Sequence, residues 1–326
     1  MKCSFLRPPQ TLTLGSFGLS ISETSVRVAK LVPKKIGCVP AIVDDVVIQE
    51  TCNFFSGTED NNDCAILKKT LVELRKKHKI KFAQVAIPEE HTYIFRILIP
   101  STDIYLINDF ILNNIDQHIP LTANDVFFDY KILETQNDNS NLSVVVTAIP
   151  KNIVQKYSNL LESVGIHATS FEPETHAIAR CVIGKNDMSP YIIINVDRTT
   201  TNISIVESGL VQYTQTIPVT IYDFYNNTND GAAALLRESI NKVIIYWFTS
   251  KESGINQEKI QNIILTGEGV DHTDLVNFLE SNLFVNVTIA NVWNNCFDLH
   301  IYVPNISKKE SLKYATPIGL AMFKIK

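Results

Sequence analysis

Glycine is scarce in this sequence, with 12 among 326 residues. Turns that wrap phosphate groups usually need glycine, because a Cβ atom would block the close approach of the backbone. A phosphate site can therefore involve only a few glycine positions of this chain. The chain also lacks the composition of a disordered protein, since 45 % of its residues are hydrophobic and 19 % are charged. Its length predicts two domains.

Long apolar runs are absent as well. No stretch approaches the roughly 18 apolar residues that a membrane-spanning helix needs, and residues 1–9 have no apolar core of the kind a signal peptide carries. A cytoplasmic location is therefore expected. Lys and Arg number 29 against 34 Asp and Glu, a formal charge of −5. This acidic balance argues against nucleic acid as a partner.

The spacing of cysteine and histidine excludes several chemistries. No C-x-x-C pair, zinc-site spacing, H-E-x-x-H or G-x-S-x-G motif occurs, so neither a catalytic residue nor a metal ligand is assigned. Reduced and mostly buried thiols are expected. The cysteines are Cys3, Cys38, Cys52, Cys64, Cys181 and Cys296.

Two β-hairpins with hydroxyl-rich turns open the two halves of the chain. The first is predicted over 12–31 with its turn at 22–25, and the second over 191–209 with its turn at 197–201, about 175 residues later. Such turns, facing each other across a cleft, can surround phosphate oxygens. A strand at 263–265 followed by Thr266-Gly267-Glu268-Gly269 adds a third turn of this kind.

Hydrophobic periodicity predicts the remaining elements. Residues 91–150 are typical of a strand, a helix and two further strands, and 184–190 form a linker that is the best candidate for a domain boundary. Asp44-Asp45 is interpreted as a loop or turn. The helix at 63–79 ends in a run of Lys and Arg, which suits the negative end of the helix dipole; a lipid or nucleic-acid patch is the alternative. Further helices are predicted at 103–114 (capped by Thr102 or Asp103), 153–165, 175–183 and 231–250, and strands at 46–48, 82–88, 93–99, 126–133, 142–149 and 285–289.

Several stretches together resemble the actin-like ATPase superfamily, in its FtsA/PilM branch, and more closely the PilM family of type IV pilus assembly proteins. The resemblance implies an α/β, bilobed actin-like (ribonuclease H-like) ATPase fold with an inserted strand-helix-strand-strand subdomain. The implied domains are 1–90 with 166–187 (first lobe, 1A), 91–165 (inserted subdomain, 1C), 188–314 (second lobe, 2A/2B) and 315–326 (an element packing back on the first lobe). The stretches are Gly18–Val28, Ala86–Pro88, Arg96–Pro100, Ile119-Pro120, Asp129-Tyr130, Phe171–Arg180, Ile263–Gly267 and Pro317–Ala321.

The resemblance also implies ATP and Mg²⁺ in the cleft, but the motifs depart from the family pattern. Ser20 and Asn195 stand where the family has the two Asp residues linked to Mg²⁺, an ion that prefers charged oxygen ligands. Asp197 and Glu268 stand where it has Gly. We therefore expect a degenerate site with weak or absent ATP binding and no hydrolysis. The implied cleft residues are Ser20, Ser22, Glu23, Thr24, Asn195, Asp197, Arg198, Thr199, Glu238, Lys242, Gly267 and Gly269; Glu238 and Lys242 could instead form a surface pair.

The function implied by the resemblance is that of a scaffold rather than an enzyme. It would bind the cytoplasmic N-terminal peptide of a PilN-like single-pass membrane protein, and this partner would hold it at the inner face of the cytoplasmic membrane. A pilus assembly ATPase and a homo-oligomeric ring are further expected partners. The groove would lie between the first subdomain and 91–165, with Arg96, Ile97 and Ile99 as candidate contacts unless they are ordinary sheet residues. The alternatives are an active actin-like ATPase, an FtsA-like division protein, and a GspL-like secretion protein; the end of the chain at Lys326 counts against an FtsA-like membrane helix.

Overall fold

The computed structural model describes residues 17–35, 37–48, 54, 63–100, 106–133, 141–225, 230–250, 259–270, 273–282 and 285–322. The predicted start of the first hairpin and the predicted helix cap at Thr102 or Asp103 lie outside these residues. The strands are β1 (Phe17–Ile21), β2 (Ser25–Lys34), β3 (Gly37–Val47), β4 (Phe82–Ile87), β5 (Tyr93–Pro100), β6 (Val126–Leu133), β7 (Asn141–Pro150), β8 (His167–Pro173), β9 (Tyr191–Val196), β10 (Thr201–Glu207), β11 (Leu210–Ile217), β12 (Asn262–Gly267) and β13 (Asn286–Ile289). The helices are α1 (Asp63–His78), α2 (Ile107–Asn114), α3 (Lys151–Ser163), α4 (Glu174–Val182), α5 (Tyr222–Tyr225), α6 (Asp230–Ser250), α7 (Thr273–Asn282), α8 (Lys308–Ser311) and α9 (Ala315–Met322).

Two five-stranded sheets share one topology. The first has the order β3-β2-β1-β4-β8 and the second the order β11-β10-β9-β12-β13. In each, the first three strands run antiparallel and the last two join them in parallel. The duplication predicted from the two hairpins is therefore confirmed. We call the halves built on these sheets the first lobe and the second lobe.

A third sheet, with the order β5-β7-β6, lies between β4 and β8 in the chain. Its order of strand, helix, strand and strand confirms the predicted subdomain. Alternate residues of β5 and β7 pack on α2, because successive side chains of a strand point to opposite faces. Ile97 is 7 % exposed and Ile99 is 1 % exposed within this small core.

Helices cover both faces of the first sheet. On one face, Leu67, Leu71 and Leu74 of α1 pack with α3 against the strands. On the other face, α9 lies across β1, β2 and β4 and contacts α4. The main core runs from this second face through α4 and α9 into the second lobe. None of the helices formed by the described residues is both long and apolar enough to span a bilayer.

Two local predictions are corrected by the fold. Asp44 and Asp45 lie inside β3, paired with Val28 and Arg27 of β2, rather than in a loop. Their strand begins at Gly37, well before the predicted Val46. The full length of β3 is not evident from the sequence, because its apolar residues do not alternate regularly. A register shift between Lys30 and Leu31 of β2 also changes the face that each side chain occupies.

Candidate functional site

The two hairpins approach each other between the lobes, where Arg27 of the first contacts Asp197 in the tip of the second. In the first tip, the backbone N–H of Ser25 donates to Oγ of Ser22 at 3.1 Å, and the N–H of Ser22 donates to the carbonyl of Ser25 at 2.9 Å. Glu23 and Thr24 complete the turn, half-buried. The serine hydroxyls and part of the backbone of this tip are therefore engaged in hydrogen bonds within the turn.

The second tip is closed in a similar way. The N–H of Asp197 donates to the carbonyl of Thr200 at 2.9 Å, and the N–H of Arg198 donates to Oδ1 of Asp197 at 2.9 Å. Gly267 lies directly beside this tip with φ +107°, and a Cβ there would sit 2.0 Å from the carbonyl oxygen of Val196. The glycine is required for this approach of two backbones.

Arg27 of β2 joins the two lobes. It pairs with Ser20 in the register of the first hairpin. Its Nη1 and Nη2 lie 3.2 and 3.3 Å from the two carboxylate oxygens of Asp197, and Nη2 lies 2.9 Å from Oε2 of Glu268. The Arg27 side chain is only 7 % exposed. A buried guanidinium of the first lobe therefore binds two carboxylates of the second.

Further charges extend this contact into a network. Arg198 pairs with Glu268 through Nε at 2.9 Å and Nη2 at 2.5 Å. Asp45 lies 3.6 Å from Nε of Arg27 and accepts from Nζ of Lys313 at 2.8 Å. We call the six side chains the cleft network: Arg27, Arg198, Lys313, Asp45, Asp197 and Glu268.

The cleft network is balanced, with three cations and three anions. Burial would lower the pKa of Arg27, but the carboxylates of Asp197, Asp45 and Glu268 outweigh it and raise that pKa above its ordinary value. The hydrogen bonds from Arg198 to Glu268 likewise raise the pKa of Arg198. All three cations stay charged, and their charge is directed at side chains of the same chain.

A group of carboxylates lies on the other side of Ser20. The Ser20 hydroxyl, on a residue only 6 % exposed, donates to Oε1 of Glu174 at 3.2 Å. Burial, with the nearby charges of Asp197, Glu90 and Glu89, raises the pKa of Glu174 to about 8. Burial also raises the pKa of Glu89, although it accepts from the N–H of Thr175 at 2.7 Å. Glu174 is therefore protonated and neutral near pH 7.

Three features of this region bear on the expected Mg²⁺ and ATP site, whose degeneracy remains a prediction. Among the described residues, no group of three or more His, Cys, Asp or Glu side chains is arranged to hold a metal ion. Ser20 is a neutral ligand that already bonds to Glu174. Asp197 and Glu268 occupy Arg27 and Arg198, the cations that phosphates would otherwise meet in this region.

The other predicted site residues are spread over the molecule. Glu238 and Lys242 of α6 pair at 2.7 Å with more than 60 % of each side chain exposed, which is the surface alternative; that they face a nucleotide remains a prediction. Ile97 and Ile99 are buried in the inserted sheet, as the alternative of ordinary sheet residues expects, and their contact with a peptide remains a prediction. Arg96 is half-buried and its Nε donates to Ser143; its role in a groove remains a prediction. The remaining cleft candidates, Asn195, Thr199 and Gly269, lie at or beside the second tip.

Sequence reasoning missed Arg27, Asp45 and Lys313 as members of the site. One signal was available for Arg27, a cation between Val26 and Val28 in a strand next to the serine-rich turn. In the structure both valines are fully buried and Arg27 is buried on the opposite face. The sequence around Lys313 does not indicate a site, because Lys313 reaches Asp45 only when the end of the described chain packs on the first lobe.

Two lobes of identical strand order, joined around a cleft and carrying an inserted subdomain, define the actin-like ATPase fold. The chain is an α/β protein of this fold. No protein-family model matches the sequence, and no curated protein matches it as a relative.

Solved structures identify the particular form of the fold. A chain of the PilM–PilN type IV pilus biogenesis complex superposes with a TM-score of 0.75 at 13 % identity, covering 95 % of this chain and 98 % of that one. Two others are similar at a TM-score of 0.48. They are the ethanolamine utilization protein EutJ from Carboxydothermus hydrogenoformans (12 % identity, 96 % and 93 % covered) and the cytoplasmic domain of EpsL, an inner membrane component of the type II secretion system of Vibrio cholerae (10 % identity, 92 % and 93 % covered). The superposition on the chain of the PilM–PilN complex makes this chain PilM-like in fold.

Proposed function

We propose that this chain is a cytoplasmic scaffold of a type IV pilus assembly platform, peripheral to the inner face of the membrane, that binds the cytoplasmic N-terminal peptide of a PilN-like membrane protein. The superposition with a chain of a PilM–PilN complex over 95 % of this chain supports the proposal. The match includes the inserted subdomain, since so high a coverage leaves few residues outside it. A pilus assembly ATPase and further copies of this chain are additional proposed partners.

The proposed groove lies between the first lobe and the inserted subdomain. An extended peptide there would gain main-chain hydrogen bonds and side-chain pockets. Because Ile97 and Ile99 face the subdomain core, the exposed side of β5 is the surface a peptide would meet, and Leu98 on that side is 37 % exposed. Arg96 precedes Leu98 by two residues and lies on the same face of the strand.

Calorimetry tests the peptide proposal directly. The full chain is titrated with a synthetic peptide of the cytoplasmic tail of a single-span membrane protein encoded beside it, and with a scrambled peptide of the same composition. Saturable binding of the native tail alone is expected, and R96A/L98A should weaken it at least tenfold. An equal response to the scrambled peptide, or none to the native tail, would reject the proposal.

We further propose that the cleft does not use a nucleotide, because the cleft network takes the place of metal and phosphates between the lobes. At an effective dielectric of about 20, two like charges about 4 Å apart repel by about 4 kcal/mol. A phosphate entering beside Asp197 or Glu268 meets this cost and must also separate Arg27 and Arg198 from their carboxylates. One hydrogen bond returns only about 1 kcal/mol.

The nucleotide proposal predicts a gain of binding when the carboxylates are neutralised. Wild type should give no heat with Mg-ATP at micromolar concentrations. D197N/E268Q leaves Arg27 with Asp45 as its one carboxylate partner among the described residues, removes the carboxylate partner of Arg198, and should bind triphosphate, with a thermal midpoint that rises as triphosphate is added. The control E162Q/E280Q removes the same charge from exposed positions and should bind none. Micromolar binding by wild type, or an equal gain in the control, would contradict the proposal.

A further inference from the structure

Positive charge is concentrated in one short segment of this acidic chain. Residues 68–81 contain seven Lys or Arg and one Glu, a net charge of +6, while the whole chain carries −5. The rest of the molecule therefore carries −11. All seven cations are exposed: Lys68, Lys69, Arg75, Lys76, Lys77, Lys79 and Lys81.

Helix geometry places the central cations on one surface. At 100° per residue, Lys68, Lys69, Arg75 and Lys76 fall within about 120° of the circumference of α1. The buried residues Leu67, Leu71 and Leu74 occupy the opposite side. Positions seven apart, such as Lys69 and Lys76, lie about 10 Å from each other along the axis. The exposed acidic residue Glu73 falls at the margin of this surface.

Few of these charges are used within the molecule. Among the described residues, Asp44 is the one carboxylate that pairs with the segment, through Lys77 at 2.7 Å and His78 at 2.6 Å. Nε of Arg75 donates to the carbonyl of Gly165 at 3.1 Å. Complementing the helix dipole accounts for charge in the last turn only, and Lys68 and Lys69 lie outside that turn.

The surface is separate from the cleft. It belongs to α1, which covers one face of the first sheet together with α3. The second lobe is reached from the other face, through α4 and α9. A partner on α1 would leave the cleft and its network untouched.

We propose that this face of α1, formed by Lys68, Lys69, Arg75 and Lys76, docks on an anionic membrane surface. Clusters of four to eight Lys or Arg bind anionic lipid headgroups through long-range attraction without a shaped pocket. The rest of the molecule carries net negative charge, which an anionic bilayer repels, so the α1 face is the one expected to turn toward the membrane. A nucleic acid fits less well, since the face offers no aromatic side chain for stacking and the chain as a whole is acidic. The inference rests on the proposed function, which brings the chain to the inner face of the membrane.

Vesicle sedimentation with the full chain tests the docking. Vesicles of phosphatidylglycerol mixed with phosphatidylcholine should bind the protein, and vesicles of phosphatidylcholine alone should not. Each Lys near an anionic surface strengthens binding about fivefold, so K68Q/K69Q/K76Q should weaken it about a hundredfold. Rising salt should weaken wild-type binding in the same direction. The control K35Q/K259Q/K308Q carries the same change in charge at exposed positions elsewhere and should bind nearly as wild type.

The outcomes separate this inference from the proposed function. Equal losses in the two triple variants, binding to neutral vesicles, or binding to RNA or DNA with none to vesicles would overturn it. If K68Q/K69Q/K76Q keeps the tail peptide and loses the vesicles, both proposals stand. If wild type binds vesicles but no tail peptide, the docking face stands and the peptide proposal fails.

Discussion

At the scale of single residues, the molecule depends on where its charges find partners. Arg27 reaches Asp197, 170 positions away, and Glu268, 241 positions away, so one side chain connects segments the sequence keeps apart. Breaking a buried ion pair by removing one partner is far more costly than replacing both partners together. Glu174 has no cationic partner among the described residues, and its carboxyl keeps its proton instead.

Substituting Arg27 by Met should lower the free energy of unfolding by about 3 kcal/mol, because the carboxylates of Asp197 and Glu268 then lose their buried counter-charge. Urea unfolding measures the change. The control K259M, which removes one positive charge at an exposed position, should stay within about 0.5 kcal/mol of wild type. R27M/D197N should recover part of the loss, because Glu268 keeps its pair with Arg198. A double variant no more stable than R27M would indicate a packing effect and not a charge effect.

The proton on Glu174 predicts how stability changes with pH. Its pKa is about 8 in the fold against 4.5 for the unperturbed group, so the folded state binds the proton more tightly. The resulting stabilisation is complete below pH 4.5 and is lost as the pH rises to about 8, by at most about 1.4 kcal/mol per pH unit. Urea unfolding of wild type and E174Q across this range should show the difference between them changing with pH. Parallel pH profiles would contradict the assignment.

At the scale of elements, two glycines let three segments pack backbone to backbone. A Cβ on Gly18 of β1 would lie 1.9 Å from the carbonyl oxygen of Pro317, and one on Gly319 would lie 1.8 Å from that of Ala177. The helix α9 is therefore fixed against β1 and α4 at a spacing that no other residue permits. This contact returns the end of the described chain to the first lobe and brings Lys313 to Asp45.

Replacing Gly18 by Ala should lower the free energy of unfolding by about 3 kcal/mol or more, since α9 must move away to admit the methyl group. The matched variant G184A places its Cβ 3.7 Å from the nearest atom. It should be neutral or up to about 1 kcal/mol more stable, because alanine restricts the unfolded chain. Thermal and urea unfolding distinguish the two. Equal stability of G18A and wild type would show that α9 does not pack as described.

At the scale of the whole molecule, the lobes share one hydrophobic core. It contains Ala29 and Val39 of the first sheet, Ile178 of α4 and Ile318 of α9, together with the interior of the second sheet. The cleft network adds ionic contacts across the same boundary. Neither lobe can unfold without exposing apolar surface that belongs to the other.

We therefore expect one cooperative unfolding transition despite the length of the chain. The two tryptophans, Trp247 and Trp293, are buried in the second-lobe part of this core. Their fluorescence reports on that lobe, whereas far-ultraviolet circular dichroism reports on both. The two signals should change at the same urea concentration. A part of the circular dichroism lost at lower urea than the fluorescence would show that the lobes unfold separately.

The local sequence pattern was sufficient to predict several elements of this fold. Alternation and the serine- and threonine-rich turns specified the two hairpins, and residues 91–150 specified the inserted subdomain, because strand and helix periods are properties of neighbouring residues. The sequence alone also shows that Ser20 and Asn195 replace the two Asp residues of the family pattern. Only the tertiary structure decided that Arg27, Asp45 and Lys313 meet Asp197, Arg198 and Glu268. Contacts between segments more than 150 residues apart depend on how sheets and helices stack, and no local pattern encodes that.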